Sequence, residues 1–228
     1  MMYFILKRIM DVVFATIALI VLSPIFLMII IVLFASGEKE VFYKQKRVGY
    51  KNQHFNMIKF TTMFKNSMNI GTGSITLRND PRVTTVGKYL RLTKLNELPQ
   101  LFNVIKGDMS LVGPRPLVDK TFEAYSEEIQ NIVTKMKPGI TGIGSIVFRD
   151  EEKLLSIQKG DPFTYYQDIV APIKGGMEKW YYAKRSIPVD LKLIFLTGMS
   201  ILKPNSDLYM YFFGDLPMME ELKKVKHK

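Results

Sequence analysis

The longest apolar run in the chain extends from Val12 to Ala35, VVFATIALIVLSPIFLMIIIVLFA, and contains no charged side chain. About 20 such residues suffice for a helix to cross the hydrocarbon core of a bilayer, so the pattern predicts a membrane-embedded helix. The run exceeds the apolar region of a secretory signal and no small-residue cleavage pattern follows, so it is read as part of the mature protein. Ser23-Pro24 falls at its middle, where proline removes a backbone hydrogen bond and predicts a bend. Lys7 and Arg8 flank one end and Lys39, Lys44, Lys46 and Arg47 the other, and Lys and Arg mark cytoplasmic flanks. A re-entrant hairpin that bends at Ser23-Pro24 and leaves on its face of entry satisfies both signals. The Ser23 hydroxyl is then available to a carbonyl freed by Pro24. A straight spanning helix is the alternative.

Beyond this segment, VFYKQKRVGY and NQHFNMIKF carry β-branched and aromatic residues around a Gly/Asn break, which predicts a short hairpin. Residues 66–88 are turn-rich and read as a surface loop, with a weak phosphate-loop signal in Gly71-Thr72-Gly73-Ser74. Leu92, Leu95, Leu98, Phe102 and Ile105 recur at helical spacing and are predicted to face the core, with Thr93, Asn96, Glu97, Gln100 and Asn103 opposite. Pro99 suits a first helical turn, which makes Asn96 a natural N-cap with Glu97 beside the positive end of the dipole. TFEAYSEEIQNIVTK is predicted as one amphipathic scaffold helix, MKPGITGIGSIVFRDEE as a loop or strand ending in a solvated charge run, and VDLKLIFLTGMSILK as a core or interfacial helix. The organisation expected is an N-terminal re-entrant segment (1–38), an α-rich α/β cytoplasmic domain (39–203) and a basic tail (204–228), together a monotopic membrane protein.

Composition narrows the partners. Lys and Arg number 32 against 21 Asp and Glu, a net charge of +11, which points to an anionic partner: nucleic acid, a phospholipid surface or a phosphorylated substrate. No stacking-aromatic motif supports nucleic acid. There is no Cys, and His54 and His227 are isolated, so a zinc site of the usual kind is excluded and any metal is expected to be a hard, oxygen-bound ion such as Mg²⁺.

KRIMD, Ser23-Pro24 in its apolar run, IKFTTM, GKYLRLTKLNELPQLFNVIKGDMSLVGPRP and KPGITG occur in one order. From about Lys7 to Lys203 the chain resembles the bacterial sugar transferases, monotopic phosphoglycosyl transferases that load a polyprenyl phosphate carrier. The resemblance implies a re-entrant membrane helix and a domain on the cytoplasmic face of the bacterial inner membrane. It implies transfer of a sugar 1-phosphate from a UDP-sugar to undecaprenyl phosphate, with release of UMP and with Mg²⁺ as cofactor, as the first step of surface glycan assembly. The further partner is inner-leaflet phospholipid, and self-association is left open.

In the family's usual motif an Asp-Glu pair precedes Leu-Pro-Gln, the Asp acting as nucleophile and the Glu serving the metal. Here the pair is Asn96-Glu97. A carboxamide oxygen is a far weaker nucleophile than a carboxylate. Thr61, where the family usually has Lys or Arg, and GIGSIVFRDEE are further departures, and together they favour a natural branch, in which Glu97 or another group replaces the missing Asp or transfer runs directly from donor to acceptor, over one engineered change. Glu97 is the expected metal ligand, with Asp108 as an assistant or a turn cap. Lys59, Arg91 and Arg115 match the family's basic positions, and the prolines of Gly113-Pro114-Arg115-Pro116 fix the backbone that aims Arg115. The competing reading is a non-catalytic membrane protein that binds a UDP-sugar or an anionic lipid in the same pocket.

Overall fold

The computed structural model describes residues 2–36, 40–65, 67, 80–158, 160–203 and 207–217. Gly71 to Ser74, Lys39 and residues 218–228 with His227 lie outside the described residues, whereas residues 207–217, expected as part of a basic tail, are described and bury Tyr209, Phe213 and Leu216 in the main core. The apolar run is one helix, α1 (Met2–Ala35), with Pro24 inside it. At about 1.5 Å per residue it is roughly 50 Å long. Pro24 cannot donate to the Ile20 carbonyl four residues back, and Ser23 Oγ donates to that carbonyl instead at 2.8 Å. The helix therefore runs through the Ser23-Pro24 step as one element, where the sequence predicted two arms of a hairpin.

One stripe of α1 packs on the rest of the chain along nearly its whole length. Asp11, Ala15, Ile29 and Leu33 are buried. Lys7 pairs with buried Asp190 at 2.8 Å, and Asp11 accepts from Ser110 Oγ at 2.7 Å and Leu111 N at 3.0 Å. Ala15 joins Met57, Leu101, Val104 and Met109 in one cluster, and Ile29 and Leu33 join Phe60 and Leu90 in another. The opposite face, including Ile9, Ile17, Ile20, Val21, Met28 and Ile31, is exposed and apolar. By length and composition this helix is long and apolar enough to cross a membrane.

The expected hairpin forms from β1 (Phe42–Val48) and β2 (His54–Phe60), antiparallel with Phe42 opposite Phe60 and Val48 opposite His54. Helix α2 (Thr85–Leu92) starts at Thr84, whose side chain accepts from Gly87 N. Lys94, left-handed at φ 60°, ends it and leads into a 3-10 turn, Leu95–Glu97, before α3 (Gln100–Lys106). Strand β3 (Ser110–Val112) follows, then α4 (Asp119–Phe122), α5 (Glu127–Val133) and β4 (Gly139–Thr141), which pairs with β3 in parallel. Helices α6 (Ile143–Val147), α7 (Glu151–Ser156) and α8 (Pro162–Tyr165) lead through a π-helical turn (Tyr166–Val170) into α9 (Ala171–Lys184), α10 (Ile187–Leu202) and α11 (Leu208–Phe212). The main core lies among these helices and β3, around Val112, Ile143, Val147, Met177, Tyr181 and Leu193. The fold is helix-rich, with two small two-stranded sheets among the described residues.

Two expectations give way. Leu92 and Phe102 are exposed, whereas Asn96, Gln100 and Asn103 are buried. The left-handed Lys94 and the 3-10 turn break the single helical period that the leucines implied. Asn103 is buried because it closes the edge of β2, accepting from Ile58 N at 3.0 Å and donating to the Asn56 carbonyl at 2.9 Å. TFEAYSEEIQNIVTK divides into α4 and α5 at the extended Ser126, although Phe122, Tyr125, Ile129 and Val133 are all buried as an amphipathic stripe requires. Helix α10 combines both predicted roles, burying Leu193 and Leu196 while exposing Leu191, Phe195 and Leu202.

Candidate active site

The site is built on a crossing of two glycine-containing segments. A Cβ on Gly113 would come within 2.3 Å of the Lys137 carbonyl oxygen, and one on Gly139 within 2.2 Å of Gly113 N. Only glycine lets the backbones pass this closely. Gly113 N donates to the Thr141 carbonyl at 2.9 Å and Gly139 N to the Pro114 carbonyl at 2.8 Å, so the crossing is pinned on both sides. Arg115 leaves this rigid point between two prolines and reaches Glu97, its Nη2 3.0 Å from Oε1. Lys59, near the end of β2, approaches the same oxygen at 3.5 Å.

These ions lie in low-dielectric surroundings and shift one another. Burial alone would raise the Glu97 pKa, but Arg115, Lys59 and Lys94 overcome it and hold the carboxyl well below its usual range. Burial, reinforced by Arg115, Arg47 and Arg91, lowers Lys59 to about 7 against the pull of Glu97. Glu97 in turn raises Arg115. Burial and then Arg115 lower Lys94, and the same order of causes lowers Arg47 to about 10. One carboxylate thus sits amid several cations, a surplus of positive charge suited to a diphosphate.

The cluster opens into a cavity of about 840 Å³ whose wall includes Arg47, Lys59, Arg91, Lys94, Asn96, Glu97 and Arg115, together with Ala18 and Leu22 of α1. Four of the expected site residues, Lys59, Asn96, Glu97 and Arg115, meet here. Arg91 lines the same cavity but is paired with Glu152. Asn96 does not cap a helix: it lies within the 3-10 turn, whose N-cap is Lys94, while Pro99 occupies the N-cap of α3. Asn96 is 6% exposed and its Oδ1 makes no hydrogen bond among the described residues. Asp108 lies elsewhere, between Lys106 Nζ at 3.0 Å and Asn103 Nδ2 at 3.2 Å.

The opposite wall was not legible in the sequence. Arg149, Glu151 and Glu152 line the cavity, which corrects the reading as a solvated charge run for Arg149 and Glu151, while Asp150 and Glu152 are exposed as that reading expects. Lys174 of α9, 2% exposed, meets Glu151 at 2.9 and 3.2 Å, and Arg149 donates to Ser200 Oγ at 2.7 Å. Tyr166 and Ser145 complete this wall, and neither hydroxyl has a partner among the described residues. Nearby Glu178 is buried, and burial pushes its carboxyl up to about 7, with Lys174 opposing. Arg47, read as a membrane flank, instead lines the cavity and donates to the Pro116 carbonyl at 3.1 Å. The one sequence signal for this wall was Lys174, a lone lysine between apolar and glycine neighbours in IVAPIKGGM.

Among the described residues no three His, Asp or Glu side chains converge as a metal cage. Glu97 is the carboxylate at the cation cluster, and its contacts with Lys59 and Arg115 both fall on Oε1. This donor set fits a Mg²⁺ ion that arrives with donor phosphates and takes one protein carboxylate.

Similarity to known proteins extends over this same stretch. The chain is 38% identical over 159 residues to the exopolysaccharide production protein ExoY of Sinorhizobium fredii, covering 64% of this chain and 70% of that protein. It is 32% identical over 212 residues to the undecaprenyl-phosphate galactose phosphotransferase of Salmonella typhimurium, covering 87% of this chain and 40% of that protein. It is 35% identical over 195 residues to the UDP-glucose:undecaprenyl-phosphate glucose-1-phosphate transferase of Escherichia coli, covering 84% of this chain and 39% of that protein. Against these two transferases the chain spans only about two fifths of the relative's length. The sequence model of the bacterial sugar transferases matches residues 2–204, from α1 through the whole cavity, and the chain belongs to that family.

Proposed function

We propose that this chain transfers a sugar 1-phosphate from a UDP-sugar to undecaprenyl phosphate, releasing UMP, and so initiates a surface glycan at the cytoplasmic face of the bacterial inner membrane. The observation that carries this reading is the placement of Lys59, Glu97 and Arg115 in a cavity whose wall also includes Ala18 and Leu22 of the apolar helix. A site of this kind meets a water-soluble diphosphate on its cationic side and a lipid-borne phosphate on its membrane side. The names of the two transferase relatives agree with both substrates.

The neutral Asn96 decides how the chemistry runs. Among the described residues every carboxylate on the cavity wall is ion-paired: Glu40 with Lys65, Glu97 with Lys59 and Arg115, Glu151 with Lys174 and Glu152 with Arg91. No free carboxylate is offered as a nucleophile. A phosphate oxygen of the lipid therefore attacks the sugar-bearing phosphorus directly, the bond from that phosphorus to the bridging oxygen breaks, and UMP leaves with the electron pair. Arg115 and Lys59 stabilise the charge as it shifts from the lipid phosphate to UMP. Asn96 takes a place at the phosphates as a neutral hydrogen-bonding group. Mg²⁺, held by Glu97 when bound, would supply further charge neutralisation at the diphosphate.

For α1 the supporting observation is that both halves, Asp11 with Ala15 and Ile29 with Leu33, pack on the same domain. A re-entrant, monotopic placement keeps both ends on the cytoplasmic side. Cysteines replacing Phe4 and Ser36 should both be shielded from a membrane-impermeant thiol reagent in intact cells. Labelling of one alone would establish a spanning helix.

A second reading, a non-catalytic binder of UDP-sugar or anionic lipid, is favoured by the carboxamide of Asn96 alone. One assay separates the two: UMP release on mixing the protein with a UDP-sugar, undecaprenyl phosphate and Mg²⁺. Release that depends on all three supports the transferase, and background release supports the binder.

A further inference from the structure

The polar atoms of the cavity wall fall into two groups. The carboxylates are all ion-paired, whereas among the described residues several neutral atoms are buried with no hydrogen bond, Thr61 Oγ1, Asn96 Oδ1, Ser145 Oγ and Tyr166 OH, with Arg47 Nε as the one charged group among them. Buried polar groups are nearly always hydrogen-bonded, so exceptions gathered around one cavity call for a partner from outside the chain. Thr61 and Asn96 belong with the cation cluster. Ser145 and Tyr166 belong to the opposite wall, beside the Glu151–Lys174 pair.

That wall is built. Lys174 is 2% exposed, and its ammonium holds Glu151 at 2.9 Å while lying 5.6 Å from the centre of the Tyr166 ring. The carboxylate is thereby fixed in position with lone pairs to spare. The wall also adjoins the diphosphate site, because Arg115 lies within electrostatic reach of Glu151 and Glu152 as well as Glu97. A sugar whose anomeric phosphate sits at Arg115 has its ring next to these groups.

Resting on the UDP-sugar reading above, we propose that Ser145, Glu151, Tyr166 and Lys174 form the subsite for the donor's sugar ring. The ligand class is a pyranose with free hydroxyls. Tyr166 and Ser145 exchange hydrogen bonds with ring hydroxyls, Glu151 accepts from another, and Lys174 positions Glu151. A hydroxyl-bearing ring satisfies what the protein leaves unsatisfied, and an anionic carboxylate is a strong acceptor for sugar O–H donors. Ser145 and Glu151 lie within the GIGSIVFRDEE stretch.

The test compares UDP-sugar with UDP, which carries the same diphosphate and no sugar. UDP-glucose, UDP-galactose, UDP-N-acetylglucosamine and UDP-N-acetylgalactosamine are screened for UMP release, and the fastest is used with Tyr166→Phe, Ser145→Ala and Glu151→Gln. Tyr166→Phe and Glu151→Gln should each lower kcat/KM for the donor by about tenfold or more, the scale of a lost hydrogen bond in a buried site. Ser145→Ala should act in the same direction. Inhibition by UDP should stay within about twofold of wild type for all three, which also reports that the cavity is still folded. Donor turnover and UDP inhibition weakened by one common factor, or neither changed, would overturn the subsite. If no donor in the panel binds or turns over with the unaltered protein, the proposed function itself fails and the subsite falls with it.

Discussion

The carboxylates and the neutral polar groups of the cavity are handled in opposite ways. Glu97 has its counter-charges in place, with Arg115 at 3.0 Å and Lys59 at 3.5 Å. Thr61, Asn96, Ser145 and Tyr166 each keep a buried neutral polar atom without a partner among the described residues. The difference follows from cost. An unpaired buried charge is penalised by several kcal/mol, whereas an unsatisfied neutral hydroxyl costs about 1–3 kcal/mol. A protein can leave the second kind open for a ligand to complete, but must arrange the first kind in advance.

The comparison breaks most strongly at Glu97. Glu97→Gln removes the shared anion from beneath Lys59 and Arg115, leaves their repulsion unopposed and removes the expected Mg²⁺ contact. We expect UMP release to fall by about 10²–10³-fold across a Mg²⁺ titration. Full activity with unchanged Mg²⁺ dependence would remove Glu97 from the site.

Arg115→Lys keeps the charge but loses the planar fork that reaches Glu97 and a phosphate together. A loss of about tenfold in kcat/KM is expected, and steady-state kinetics at saturating acceptor would measure it. Wild-type activity would mean that charge alone suffices.

Asn96→Asp sharpens the contrast by placing a second carboxylate beside Glu97, where the two raise one another's pKa and repel a diphosphate. In direct transfer the rate should change by no more than a few-fold. Labelled UMP should not enter UDP-sugar in the absence of undecaprenyl phosphate. Recovery by orders of magnitude, together with acceptor-independent exchange, would instead assign this chain a covalent carboxylate route.

The smallest effect is on stability. Burial raises Glu178 from 4.5 to about 7, so at intermediate pH the folded carboxyl holds a proton that the unfolded one has lost. The resulting stabilisation is fully present below the unfolded value and is lost as pH rises through about 7. Melting temperature should therefore fall between pH 5.5 and 8, and Glu178→Gln should flatten that fall. An identical slope in the variant would show that other groups carry it.

Much of this arrangement was legible along the chain. The hairpin follows from β-branched and aromatic residues around a Gly/Asn break, and α1 from apolar length. Lys59, Glu97 and Arg115 stood out together as motif residues, and the structure brings them within 3.5 Å contacts. The far wall stayed hidden because Arg149, Glu151 and Glu152 look like a surface run until Lys174, Ser200 and Arg91 are folded against them. Leu92 and Phe102 misled for a related reason, since a period of 3.6 holds only while the helix continues, and Lys94 ends it.

By itself the sequence determined whatever depends on near neighbours. Apolar length made a membrane-competent helix, Ser23 one residue before Pro24 kept that helix hydrogen-bonded, and the glycines and prolines around Arg115 made a rigid crossing. Tertiary structure alone decided which charges face inward and which polar atoms lack partners. A charge can be buried only against a counter-charge, and here those come from distant segments: Asp190 for Lys7, Glu152 for Arg91, Glu97 for Lys59 and Lys174 for Glu151. No local pattern encodes such pairs, because each is stable only after both segments have packed against a common core.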